Sequence, residues 1–215
     1  MTRDPGRATL PPVALRTFAT TICLVLALAA SASARTRVMT YSPFAADGSV
    51  RPGLKIAPRQ GTCWTTPEAP VARLAYRCMG GNFIYDPCFR PPGGLDPRAP
   101  SVVCASSPWA RTVIRLHLRS RPHFKATSSP NRRLPWAVTL ASGDRCVFVE
   151  GASAVDRAGR RFNYGCTRGR RATWWLFGFV DRSRPVWRIR GGRPTSLAGP
   201  YRRTERWLDV RAAWR

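Results

Sequence analysis

The chain has little of what most catalytic and metal-binding sites are built from. Its 215 residues include two histidines, His117 and His123, both far in sequence from the cysteines. No C-x-x-C occurs and no Cys/His group has zinc-ligand spacing, so a metal site or a thioredoxin-like redox pair is not expected. Neither G-x-S-x-G nor H-E-x-x-H is present, which removes the nucleophile elbow and the zincin helix. No cofactor is implied. Acidic residues number 11 against 36 basic ones, and only Lys55 and Lys125 among the basic ones are lysine. No internal repeat is found. Beyond residue 34 no apolar run approaches the ~20 residues a spanning helix needs.

What is there begins with an export signature. Arg3, Arg7 and Arg16 precede the apolar stretch TFATTICLVLALAASASA, and Ala32-Ser33-Ala34 ahead of Arg35 has the A-x-A form accepted by signal peptidase. The expectation is a signal peptide over 1–34, cleavage after Ala34, and a secreted or extracytoplasmic chain. The alternative is an uncleaved N-terminal membrane anchor.

Export changes the meaning of the seven cysteines. Cys23 leaves with the leader. Cys63, Cys78, Cys88, Cys104, Cys146 and Cys166 remain, an even set that implies disulfides in an oxidising compartment. Six cysteines allow about 15 connectivities. Pairing neighbours, Cys63–Cys78, Cys88–Cys104 and Cys146–Cys166, closes loops of roughly 15–20 residues, each worth about 3 kcal/mol of chain entropy. In RCVFVEGASAVDRAGRRFNYGC, residues 145–166, the last pair then staples two strands joined by a polar loop.

The rest reads as mainly β. Residues 35–60 carry Pro, Gly and Ser without a period and read as an extended lead-in. Residues 61–110 read as a loop-rich cysteine lobe, since Pro67 and Pro70 exclude a helix between its first two cysteines. Across 111–192 strand signals alternate with turns. RTVIRLHLRS places Ile114, Leu116 and Leu118 on one face and Val113, Arg115, His117 and Arg119 on the other. WAVTLA, RCVFVEG, RRFNYGC, ATWWLFGFV and VWRIRGG follow with short turns between them. The expected fold is an antiparallel meander forming a small barrel or sandwich in a single domain over 61–215. In the 193–215 tail, Trp207, Val210, Ala213 and Trp214 have helical spacing, so a short C-terminal helix is expected there.

Two residue classes could carry function. Asp86, Asp144, Glu150, Asp156 and Asp181 could supply a glycosidase-type carboxylate pair, with Asp86 and Asp181 the leading candidates. Asp86 before Pro87, Asp144 in Ser-Gly-Asp and Asp181 opening Asp-Arg-Ser-Arg-Pro also fit turn positions, where a carboxylate caps backbone N–H groups. Among eight tryptophans, the adjacent Trp174 and Trp175 point to opposite faces of a strand. The exposed one of Trp174 and Trp175, and Tyr164 beside it, are candidate ligand contacts.

The net charge is +25, of which a leader with three arginines and one aspartate holds a net two. Such a surface attracts anionic envelope polymers and binds nucleic acid without specificity. The arginines are spread along the chain rather than gathered, which favours a solvated basic surface over a dedicated polyanion site.

GTCWTTPEAPVARLAYRCMGGNFIYDPCF, VVC with PW, LPWAVTLASGDRC, NYGC, WLFG and DRSRPVWRIR together resemble a group of exported proteins from actinobacteria and similar bacteria. The likeness spans roughly residues 60–190. It implies a secreted or surface domain and carries no activity. The expectation is therefore a secreted or cell-envelope β module that binds an envelope polymer or another surface protein without catalysis. The alternatives are an envelope hydrolase using a carboxylate pair and a nonspecific polyanion binder.

Overall fold

A computed structural model describes residues 35–127, 134–151, 155, 159–193 and 205–215. The expected signal peptide, and Asp156 among the carboxylates, lie outside the described residues. The described chain is all β, built as two small closed barrels with no helix among the described residues. After β1 (Arg37–Met39), the first barrel takes β2 (Lys55–Thr65), β3 (Ala75–Gly80), β4 (Phe83–Phe89), β5 (Ser101–Cys104) and β6 (Thr112–Leu118). Its neighbours are antiparallel, except that β2 and β6 close the ring in parallel, Lys55 opposite Thr112 through Gly61 opposite Leu118. Gly61 is required at that closure. A Cβ there would lie 2.2 Å from the Met79 carbonyl oxygen and 2.7 Å from a Leu116 methyl.

The second barrel is the expected meander: β7 (Ala137–Leu140), β8 (Arg145–Phe148), β9 (Phe162–Arg168), β10 (Arg171–Asp181), β11 (Trp187–Gly192) and β12 (Arg206–Trp214). Antiparallel pairing of β12 with β7 closes it. Past Val210, β12 is no longer lined by β11, and β1 takes the vacated edge in parallel. Thr36 seals that junction: its hydroxyl donates to the Val210 carbonyl and accepts from the Trp187 N–H.

Each disulfide joins directly opposed residues of a hairpin: Cys63–Cys78 on β2–β3, Cys88–Cys104 on β4–β5 and Cys146–Cys166 on β8–β9. The first barrel's interior is small. Cys78, Cys88 and Cys104 are three of its seven buried residues, beside Tyr76, Val102, Leu116 and Leu118. The larger core fills the second barrel and runs into the seam between the two. There Trp136 is fully buried, its ring 5.1 Å from Tyr41 and 5.9 Å from Phe89.

Three expectations are corrected. Residues 206–214 are a strand, not a helix. Leu208, Val210 and Ala212 alternate inward, and a register slip between Val210 and Ala212 buries Ala213 as well. That bulge breaks the period of two, and the mixture of phases imitates helical spacing. The 61–110 region, read as a loop-rich lobe, supplies most of a closed barrel, and part of the 35–60 lead-in is the start of β2. Strand β6 alternates as expected, with Leu116 and Leu118 in the first barrel's core and Val113 in the seam.

Candidate functional site

The seam opens on one side into a cleft of about 440 Å³ between the barrels. Ile84, Tyr85 and Asp86 of β4 and Ile114 of β6 line it from the first barrel, with Ser106 from the loop after β5. Val147 and Phe148 of β8, with Glu150 just beyond, line it from the second.

Local irregularities aim the charged groups here. Pairing of β3 slips against β2 between Cys63 and Thr65, and against β4 between Tyr76 and Cys78. Arg77 sits at both slips, where a bulge redirects a side chain. Its side chain is nearly buried; it pairs with the Glu68 carboxylate, lies 3.8 Å from Asp86 Oδ2 and stacks 5.9 Å from the Trp64 ring centroid. The Asp86 side chain is wholly buried. Its Oδ2 accepts from the Glu68 N–H at 2.8 Å, whereas its Oδ1 has no partner. Glu68 in turn accepts from the Gly151 N–H at 2.7 Å, tying the β2–β3 loop to the chain beyond β8. Gly151 reaches that position with φ of +75°, a conformation glycine adopts without steric cost.

Three carboxylates therefore surround one guanidinium, and the excess negative charge is costly away from water. The chain resolves this by holding protons. Burial pushes the Glu150 carboxyl up to about 9; the Asp86 and Glu68 charges add to this and Arg77 opposes it. Burial pushes Asp86 up to about 7 against the Glu68 N–H, Arg77 and the Ala69 N–H, which favour its ionised form. Glu150, with fewer donors to support its charge, is the protonated member near neutrality. A carboxylic acid and a carboxylate facing one cleft can donate and accept hydrogen bonds, transfer a proton, or act as counter-ions to a cation. Among the described residues no group of three or more His, Cys, Asp or Glu could hold a metal ion.

The other sequence candidates lie elsewhere. Tyr164 is corrected from ligand contact to core: it is fully buried, and its hydroxyl donates to the Pro135 carbonyl at 2.7 Å. Trp174 is buried in the large core beneath Arg206 and Arg193, at 4.8 and 5.3 Å from its ring centroid. Trp175, on the opposite face, is half-buried against Phe162. Neither lines the cleft. Asp181 is not brought near Asp86; it accepts from the Ser183 N–H and hydroxyl and pairs with Arg188. The Ser183 bonds hold its carboxyl below the ordinary range, so it serves a turn. Asp144 does the same: burial alone would raise its carboxyl, but Ser142 and Arg168 bring it below the usual value.

Glu68 and Arg77 were not foreseen as site residues. Their only sequence signals are a glutamate set between Pro67 and Pro70 and an arginine adjoining Cys78.

Compared with known protein families, curated proteins and solved structures, the chain matches none.

Proposed function

We propose that this is an extracytoplasmic binding module of the cell envelope and that the inter-barrel cleft is its ligand seat. The observation that carries the reading is the Asp86–Glu150 pair: two carboxyls with raised proton affinity facing a cleft with apolar walls, one of them buried with an unpartnered oxygen. Pockets of this kind, mostly apolar with a few convergent polar groups, are where ligands bind. The export signature and the three disulfides support the location. Among the described residues no helix is long and apolar enough to cross a membrane.

A hydrogen-exchange footprint of the full chain with soluble envelope polysaccharide and peptide fragments tests the reading. Protection confined to β4, β5 with the loop after it, β6 and residues 147–150 is expected. Protection on the arginine-rich face of the second barrel that vanishes at moderate salt would replace it with nonspecific polyanion binding.

A second reading, hydrolysis of an envelope polymer, draws on the same pair acting as acid and base. Fragment cleavage by the full chain that disappears in Glu150→Gln would establish it.

A further inference from the structure

We propose that the cleft receives a cationic head, an alkylammonium or guanidinium, on an aliphatic stem, with Glu150 and Asp86 as counter-ions and Ile84 and Ile114 along the stem. The proposal rests on the cleft being the ligand seat. Asp86 Oδ1 is a buried acceptor lacking a donor. Leaving such an atom unpaired costs about 1–3 kcal/mol, and an ammonium or guanidinium carries several N–H donors to meet it.

The charge balance agrees. Glu68, Asp86 and Glu150 face Arg77 alone within the cluster. Arg161 approaches from just before β9, but its guanidinium is engaged by the Val149 and Gly151 carbonyls and lies over the Phe148 ring. With all three ionised the cluster is left with a net of two negative charges, which one further positive charge would halve. The strongly positive chain repels a free cation at long range, yet at physiological ionic strength charges beyond about 8 Å are largely screened. The local carboxylates decide. The walls fit the stem: Ile84 is half-exposed at the cleft mouth, and Ile114 and Val147 are partly buried within it.

Entry of a cation ionises the pair, and each carboxyl that ionises releases its proton to water. Binding is thereby linked to pH with a sign that separates it from a neutral ligand. A cation binds more tightly as pH rises from 6 to 8, whereas a ligand held by the protonated Glu150 carboxyl changes little until pH approaches 9.

Titration calorimetry of the full chain with n-pentylamine, and with 1-pentanol as the neutral comparison, tests this. The pentylamine association constant is expected to rise about tenfold per pH unit between pH 7 and 8, the slope for release of the Glu150 proton, and more steeply below pH 7, where Asp86 releases one as well. Glu150→Gln should flatten that slope, and Ser106→Trp, at an exposed wall position, should abolish binding while the circular dichroism stays unchanged. Binding that fails to strengthen as pH rises, or that persists in Ser106→Trp, would overturn the cationic seat. Absence of pentylamine binding, with envelope fragments still protecting the cleft strands, would overturn the cationic head and leave the cleft as ligand seat. Failure of both would remove the cleft reading itself.

Discussion

The two barrels solve the same problem with different materials. The second fills its interior with aliphatic and aromatic side chains and covers outer rings with guanidinium groups: Arg193 and Arg206 over Trp174, Arg188 and Arg190 over Trp207, Arg182 over Trp187. The first has a seven-residue core, three of them half-cystines, and leaves Phe83, Ile84 and Met79 open to solvent. Arginine stacked on a ring shields apolar surface while keeping its charge in water. Much of the excess basic charge thus acts as a sheath on the second barrel. The acid-rich cleft borders the barrel with the least sheathing, which is where a ligand with an apolar stem has surface to gain.

The largest effect expected from this contrast comes from the covalent staples. Cys88→Ala with Cys104→Ala should cost about 3 kcal/mol from chain entropy, and the same change at Cys146 and Cys166 a similar amount. Their distribution should differ. Without Cys88–Cys104 the first barrel loses two of its seven buried residues' packing, so β2–β6 should lose amide protection while β7–β12 keep theirs. Loss of the Cys146–Cys166 bond should leave the second barrel protected by the core around Trp136, Leu176 and Ile189. Uniform loss of protection across both barrels in either variant would show one cooperative unit and dissolve the contrast.

The same contrast governs what could be read from the sequence. The second barrel was legible because β7 to β11 are consecutive strands whose alternation is a local signal, with short turns at every junction but the β8–β9 loop. The first was not. Its closure depends on a parallel pairing between Lys55–Gly61 and Thr112–Leu118, distant in sequence, and β2 contains Pro58 and Gly61, which argue against a strand. At the site, Asp86 and Glu150 were each visible as carboxylates. Their convergence was not, because it arises from packing one barrel on the other, and Asp86 before Pro87 carries a turn signature. The position of Tyr164 was obscured for a similar reason: a tyrosine beside a glycine and a cysteine gives no sign that the Pro135 carbonyl waits in the core to accept its hydroxyl.

A smaller effect is expected from protonation in the cleft. The folded-state carboxyls of Glu150 and Asp86 sit near 9 and 7, above their ordinary values, so between about pH 4 and 9 the folded chain binds more protons than the unfolded one. Stability is then highest at the acid end of that window and falls as pH rises through the two folded-state values. Glu150→Gln, which keeps the shape and removes the titration, should melt higher than the parent at pH 8 by about 5 °C and differ little at pH 5. A parent whose melting temperature rises from pH 5 to pH 8 would mean that Arg77 compensates the carboxylates fully and that the cleft holds no excess negative charge.

The smallest expected effect concerns the unsheathed surface. Phe83 is 69% exposed at the β3–β4 turn, and Phe83→Ser should change stability by no more than about 0.5 kcal/mol, since no packing is lost. Its consequence should instead appear in the chain's tendency to self-associate, measured by sedimentation at increasing concentration. Phe83, Ile84 and Met79 lie on the same β3–β4 hairpin, where Ile84 directly opposes Met79, so replacing the most exposed of them should weaken any association through that face. The matching change on the sheathed barrel, Phe179→Ser at a comparably exposed ring, should leave association unaltered if the arginines keep neighbouring chains apart by charge repulsion. Equal effects of the two substitutions would mean that the guanidinium sheath does not distinguish the barrels, and that ring exposure alone sets how each surface meets its surroundings.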